Sequence, residues 1–257
     1  MFFEVVVDHV RQALGQPISL SVESRFSGPM RRTDDLFSKG EADVGFMCAP
    51  SFFWLRELEN PPVELAGVAP VFRDNRAQGS PVYFSEVIAH RGSPVRSFPD
   101  LRGRSWAYND LRSLSGYFNL LKRLAEMGED ESFFGRVCCS ESHLNSMEMV
   151  ARGDVDAAII DSNVLRIKLR SSPQLQEQLR VLESWGPYPI QPVVLRSGLH
   201  PELKDRLRAG LLAICADPHT PPALAERFGL VRFAPVTYEH YAPEEQALRE
   251  YERALRA

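Results

Sequence analysis

Two segments in opposite halves of the sequence share one pattern. In residues 38–47 and 151–160, a predicted helix ends at a glycine (Gly40 or Gly153), and an acid, a spacer, an aspartate (Asp43 or Asp156) and an apolar run follow. Uninterrupted apolar runs are typical of strands that are buried on both faces, as in parallel sheets. One copy per half predicts two α/β lobes of the same architecture rather than a short-period repeat. A chance match over so few residues is the alternative.

The elements around these segments alternate between strand and helix. Apolar spacing with glycine and proline boundaries predicts helices at 2–14, 33–40, 115–128, 143–153, 201–211 and 243–255, and strands at 18–22, 44–48, 82–89, 105–108 and 157–161. The segments 181–183 and 192–195 flank a stretch rich in glycine and proline. Such alternation predicts the α/β class.

Composition and charge exclude several classes of function. The 257 residues are 44% hydrophobic with a formal net charge of −4, so no overall basic field is available for nucleic acid. No apolar run is long enough for a membrane helix. Glu4 and Asp8 stand where a signal peptide has basic residues, so the chain as written has no export signal and reads as cytoplasmic. The four cysteines lack metal-ligand spacing, and we expect neither a metal nor a cofactor.

The strongest local feature is the segment 108–117, which lies between a predicted strand and a predicted helix. Free amides in the first turn of a helix attract anions, Ser113 and Ser115 add hydroxyl donors, and Gly116 allows a close approach to the backbone. The segment therefore predicts a site for a small anion. The alternative is that Ser113 or Ser115 only caps the helix.

Motifs of catalysis are missing from the sequence. It contains no nucleophile elbow, phosphate-binding loop, dinucleotide fingerprint, zinc-protease motif or usable carboxylate pair. We predict that the protein is not an enzyme.

Four segments together resemble the PhnD-like substrate-binding proteins of phosphonate ABC importers. They are Asp100-Leu-Arg-Gly-Arg-Ser-Trp-Ala-Tyr-Asn-Asp-Leu-Arg-Ser-Leu-Ser-Gly-Tyr117, Glu141-Ser-His143, Ala151-Arg-Gly-Asp-Val-Asp-Ala157 and Ser184-Trp-Gly-Pro-Tyr-Pro189. The resemblance runs from about Phe2 to about Leu211.

The resemblance implies a type II periplasmic-binding-protein fold: two lobes, each a mixed sheet flanked by helices, joined by two hinge strands. Residues 1–82 plus 190–257 would form a discontinuous lobe, and 83–189 an inserted lobe. The protein would capture a small oxyanion, most like a phosphonate, in the cleft between the lobes and deliver it to an ABC permease. It would be periplasmic or anchored as a lipoprotein.

The resemblance also assigns residues to the binding site. The matched segment Ser113, Leu114, Ser115, Gly116 and Tyr117 would hold the oxyanion, assisted by His143. Tyr83 matches a tyrosine at the first hinge. Asp161 stands where the family often has an acid that faces the other end of the ligand.

This sequence departs from the family pattern in three places. Leu114 replaces a threonine, so one hydroxyl donor to the oxyanion is missing. A Met47–Phe53 loop replaces a glycine-proline-aromatic run, and Ser51 or Phe52 is expected to contact the ligand in its place. The family begins with a strand ahead of its first helix, so we expect that an N-terminal piece with any export signal is missing.

Two other functions remain open at this stage. A ligand-sensing domain would use the same binding physics to signal to a partner. An enzyme on the same fold would use His143 as nucleophile or base. His143 could equally be a capping or core histidine without a functional role.

Overall fold

The computed structural model describes residues 2–23, 27–216 and 223–254. Their contacts divide the chain into two compact units. Unit 1 contains residues 2–23, 28–82, 189–216 and 223–250, and unit 2 contains residue 27 with 83–188 and 251–254.

Helices and strands alternate along the described chain. The helices are α1 (Phe2–Leu14), α2 (Ala49–Arg56), α3 (Asn119–Glu126), α4 (His143–Arg152), α5 (Ser162–Ser171), α6 (Pro173–Gln178), α7 (Pro201–Ala213), α8 (Ala223–Glu226) and α9 (Ala242–Ala254). The strands are β1 (Val44–Phe46), β2 (Val63–Leu65), β3 (Val68–Phe72), β4 (Val82–His90), β5 (Ser105–Tyr108), β6 (Arg136–Cys139), β7 (Ala157–Asp161), β8 (Leu179–Pro189), β9 (Val193–Arg196) and β10 (Leu230–Pro235). These elements confirm the predicted α/β class.

Unit 1 is built on two small sheets. One has the order β1-β9-β2 and the other pairs β10 with β3, and all of these pairs are antiparallel. Helix α1 packs against α7, which also contacts β10 and β3. The amphipathic pattern of α1 explains this packing, because Val6, Val10 and Leu14 recur on one face and are buried.

Unit 2 is built on one five-stranded mixed sheet in the order β6-β5-β7-β4-β8. Strand β5 runs parallel to β6 and β7, whereas β4 is antiparallel to β7. Successive residues of one strand enter different hydrophobic clusters: Ile159 packs with Trp106 and Phe98, and Ile160 packs with Ala107 and Met147. The sheet is therefore covered on both faces, as an uninterrupted apolar run requires.

The repeated pattern that we identified in the sequence has different outcomes in the two units. Gly153 ends α4 in the left-handed conformation with φ of 78°, and β7 follows with all five residues buried. Strand β1 is only half-buried and pairs antiparallel with β9, so the prediction of a buried parallel strand is wrong there. Strand direction depends on a partner about 150 residues away, which a local pattern does not encode.

Three local predictions are also wrong. Residues 18–22 form no strand and are mostly exposed, because alternation needs a partner strand and a core to face. Residues 33–40 form a 3₁₀ turn (Arg32–Asp34) and further turns, because the buried carboxylate of Asp35 takes the amides of Phe37 and Ser38. The expected loop 47–53 contains the start of α2, with Pro50 in its first turn.

The last helix matches the predicted 243–255, although Leu255 lies outside the described residues. Among the described residues, no helix has the length and apolar content to span a membrane.

Candidate functional site

The segment after β5 in unit 2 begins a helix and carries most of the predicted site residues. Strand β5 ends at Tyr108, and helical geometry begins at Leu114. One π-helical turn (Leu114–Phe118) leads directly into α3. Ser113, Ser115 and Leu114 are at most 4% exposed, so the start of this helix is buried.

Ser113 caps this helix. Its Oγ accepts a hydrogen bond from the Gly116 amide at 3.0 Å, and its carbonyl oxygen accepts from the amides of Tyr117 and Phe118, each at 3.1 Å. The amides of Leu114 and Ser115 donate to no other group in the described part of the chain. Unpartnered amides in a first helical turn, with the positive end of the helix dipole, favour an anion.

Ser115 connects this helix start to a second one. The Oγ of Ser115 lies 3.1 Å from Nε2 of His143, the first residue of α4, and 3.4 Å from the Oγ of Ser113. Ser142 caps α4 by accepting the Asn145 amide at 3.1 Å. Because β5 and β6 are parallel neighbours, the helices that follow them begin at the same edge of the sheet, and this places His143 beside Ser115.

His143 is neutral at physiological pH. Burial of its ring lowers the pKa from 6.5 to about 4, and the backbone of Ile159 opposes this shift only in part. The buried Nδ1 makes no hydrogen bond of ordinary geometry within the described chain. A neutral imidazole has one donor and one acceptor nitrogen, so His143 offers hydrogen bonds here and not a positive charge.

Gly116 also has a packing role that the sequence did not indicate. A Cβ at this position would lie 1.6 Å from Oδ1 of Asn109 and 3.2 Å from the Oγ of Ser113. The space beside Gly116 is therefore filled by the chain's own amide side chain. Sequence reasoning missed Asn109, although this residue directly follows β5, at the end of a strand where binding residues often lie.

Tyr117 and Leu114 contribute less polar chemistry than their neighbours. The Tyr117 ring lies against Tyr108 with centroids 4.9 Å apart, and its hydroxyl lies 3.4 Å from Oε2 of Glu131. Burial, with Glu131 nearby, raises the pKa of Tyr117 to about 12. Leu114 is buried and offers only its amide. Neither side chain forms a hydrogen bond with Ser113, Ser115 or His143.

Three other predicted residues lie elsewhere. Asp161 ends β7 and caps α5, accepting the amides of Asn163 at 2.7 Å and Val164 at 3.3 Å. Tyr83 is buried at the start of β4, with its ring centroid 5.8 Å from that of Tyr188. Ser51 belongs to unit 1, in α2, where its buried hydroxyl has no hydrogen-bond partner among the described residues. The neighbouring Phe52 is a core residue that is 1% exposed.

Solved structures share this fold at low sequence identity. A binding protein component of an ABC phosphonate transporter from Pseudomonas aeruginosa matches with a TM-score of 0.82 and 20% identity, covering 98% of this chain and 81% of that chain. PhnD1 from Prochlorococcus marinus in complex with methylphosphonate matches with a TM-score of 0.79 and 15% identity, covering 97% and 92%. The aliphatic sulphonate binding protein SsuA from Escherichia coli matches with 0.60 and 16%, covering 98% and 90%.

These likenesses define the fold class as that of the type II periplasmic binding proteins, as the sequence resemblance implied. The particular family follows from a family model described as ABC transporter, phosphonate, periplasmic substrate-binding protein, which matches residues 2–241. The chain belongs to this family. Its members are non-enzymatic substrate-binding proteins, which confirms the prediction that the chain is not an enzyme.

Proposed function

We propose that this protein captures a small phosphorus oxyanion of the phosphonate type and delivers it to an ABC importer. The site consists of Ser113, Ser115 and His143 with the amides of Leu114 and Ser115. Family membership supports the transport role. The complex of PhnD1 with methylphosphonate, on the same fold, supports the ligand class.

One observation carries the choice of site: two backbone amides without partners lie beside two buried serine hydroxyls. Buried polar groups are nearly always hydrogen-bonded, and each one left without a partner costs about 1–3 kcal/mol. A bound oxyanion would satisfy both amides and accept from the hydroxyls. In the tautomer that carries the imidazole proton on Nε2, His143 donates to Ser115, and the Ser115 hydroxyl keeps its own hydrogen for the ligand.

The polar groups of the site favour an oxyanion that is held by hydrogen bonds and by the helix dipole. The hydrogen-bonding groups of the cluster are hydroxyls, backbone amides and a neutral imidazole. An oxyanion held by such groups gains from the helix dipole without a fixed countercharge, and the buried setting strengthens each bond. Preformed donors also reduce the entropic cost of binding.

The proposed function also includes lobe boundaries, further ligand contacts, a location and a partner. Residues 1–82 plus 190–257 would be one lobe and 83–189 the inserted lobe, and we place the oxyanion site in the inserted lobe. Tyr83, Asp161, Tyr117 and Ser51 are proposed as further ligand contacts. The protein would work in the periplasm, free or as a lipoprotein, with an ABC permease as its partner.

Thermal melting against a panel of oxyanions tests the proposal. The panel contains methylphosphonate, 2-aminoethylphosphonate, phosphite, phosphate, sulfate, methanesulfonate and acetate. A ligand at about a thousand times its Kd stabilises by roughly 4 kcal/mol, which is several degrees at this size. We expect phosphorus oxyanions to raise the Tm, and Ser115→Ala and His143→Ala to reduce the shift.

Ser146→Ala is the matched control. Ser146 is equally buried in unit 2, but its Oγ pairs with the Oγ of Ser140 at 2.6 Å. This variant should retain the full ligand-induced shift, whatever its own Tm. Cooperative melting with no shift for any panel member would overturn the proposed function.

A further inference from the structure

We propose that Asn109 is a further ligand-binding residue, whose side-chain amide supplies the hydrogen-bond donor that Leu114 lacks. This inference rests on the proposed function and deepens it. The family resemblance assigns no role to the residue at this position.

Asn109 is buried without a partner. The residue is 6% exposed, and its Oδ1 is fully buried with no hydrogen bond. Its Nδ2 makes no hydrogen bond within the described chain either but, unlike Oδ1, is not fully buried, so it can reach a ligand. A buried amide oxygen without a hydrogen bond is costly, and a bound partner would remove that cost.

The amide lies at the helix start that carries the unpartnered backbone amides. Its Oδ1 is 1.6 Å, and its Cγ 2.8 Å, from the position that a Cβ on Gly116 would occupy. Gly116 follows Leu114 and Ser115 directly, so the side chain of Asn109 and these two amides lie within one turn of helix. Because Gly116 has no side chain, the amide can lie against the backbone.

A purely local role for Asn109 is already filled by its neighbour. Asparagine after a strand often caps a helix or closes a turn. Here Asp110 does this work: its Oδ1 accepts the Arg112 amide at 3.1 Å and its Oδ2 accepts the Ser27 amide at 2.6 Å. The cap itself is Ser113.

The chemistry of the missing donor fits an amide. The family threonine would donate one hydroxyl hydrogen to the oxyanion, whereas Leu114 offers an apolar side chain. The Nδ2 of Asn109 has two hydrogens that can replace it, and the Oδ1 can accept from a protonated oxygen of the ligand. Rotating the amide so that Oδ1 and Nδ2 exchange places would leave both the donor and the acceptor available to the ligand.

Calorimetric titration with methylphosphonate, or with the panel oxyanion that binds the wild type most tightly, tests the inference. Asn109→Ala should raise the Kd about ten-fold to a hundred-fold, the value of one hydrogen bond to a charged group. Asn109→Asp, which replaces the donor by a negative charge in the same shape, should raise it further. Leu114→Thr added to Asn109→Ala should recover about ten-fold.

Two further measurements separate binding from structure. Asn109→Ala should melt no more than a few degrees below the wild type without ligand, because no internal hydrogen bond is lost. Asn145→Ala is the control: it removes the bond from Nδ2 to the Ser140 carbonyl oxygen (2.8 Å) and should leave the Kd unchanged.

Two results would overturn the inference alone: an unchanged Kd for Asn109→Ala in a wild-type protein that binds, or an Asn109→Ala loss that Leu114→Thr does not reduce. Failure of the wild type to bind any oxyanion would overturn the proposed function as well.

Discussion

The Nε2 of His143 lies 3.1 Å from the Oγ of Ser115, and this contact joins the starts of two helices that follow neighbouring parallel strands. The two residues are 28 positions apart in the sequence. The contact orients the Ser115 hydroxyl at the place where two backbone amides have no partner.

The pKa of His143 predicts a pH-dependent stability. The unfolded chain takes up a proton near pH 6.5 but the folded protein only near pH 4, so between these values the unfolded state binds more protons. The free energy of unfolding should therefore fall as the pH is lowered from 7 to 4, by at most about 3 kcal/mol from this residue. Urea unfolding at pH 7.0 and 4.5 measures this loss, which should be smaller in His143→Gln. Equal losses in both proteins would contradict the assignment.

Gly116 should not tolerate a side chain. Gly116→Ala would place a methyl group 1.6 Å from Oδ1 of Asn109, and we expect a loss of about 1–3 kcal/mol from overpacking. Adding Asn109→Ala should restore part of it. Gly210→Ala in α7 is the control, because among the described residues its Cβ would meet only the Cβ of Ala13, at 3.6 Å. This substitution should stabilise the helix by about 0.5–1 kcal/mol. Chemical denaturation measures all three, and a Gly116→Ala protein as stable as the wild type would be inconsistent with this packing.

The two aspartates of the repeated pattern should differ in their effect on stability. Asp156 accepts from the Ser105 amide at 2.9 Å and from the Ser105 Oγ at 2.6 Å. Burial alone would raise the pKa of Asp156, but these hydrogen bonds together with the nearby Arg104 and Arg136 outweigh it and lower the pKa. Asp156→Ala should cost about 1–3 kcal/mol. Among the described residues the side chain of Asp43, 57% exposed, pairs with Arg196 alone at the surface, so Asp43→Ala should cost less than about 1 kcal/mol. Urea midpoints that fall equally would contradict this distinction.

Asp161 allows its capping role to be separated from its proposed ligand contact. Asparagine caps helices as well as aspartate does, so Asp161→Asn should leave the stability within about 0.5 kcal/mol. If the carboxylate faces the amine of a ligand, the affinity for 2-aminoethylphosphonate should fall while that for methylphosphonate changes less. Titration calorimetry with both compounds compares them. Unchanged affinity for both compounds would assign Asp161 to the cap alone.

Local patterns in the sequence were sufficient for the elements that carry the site. Strand β5 occupies the predicted residues 105–108, and α4 ends at Gly153 as its glycine stop indicates. The serine-rich segment between strand and helix indicated a helix start, and both Ser113 and Ser115 lie there. Short-range hydrogen bonding and apolar periodicity determine these features, and both can be recognised in the sequence.

Features that depend on distant partners could not be predicted. The antiparallel direction of β1 is set by β9, and the exposed course of 18–22 reflects the lack of a paired strand among the described residues. Asn109 was missed because its importance arises from contact with Gly116, seven residues further on, and the family pattern allows any residue there. The helix cap formed by Asp161 was not predicted, because the family resemblance assigned this carboxylate to ligand binding.

The most direct test of the central claim is a calorimetric titration of the wild-type protein with methylphosphonate and with methanesulfonate, repeated with the Ser113→Ala/Ser115→Ala double variant. We predict saturable one-to-one binding of methylphosphonate, weaker binding of methanesulfonate, and loss of both in a double variant that still melts cooperatively. Undiminished methylphosphonate binding by the double variant would contradict the site. No binding of methylphosphonate to the wild type would contradict the assigned ligand class.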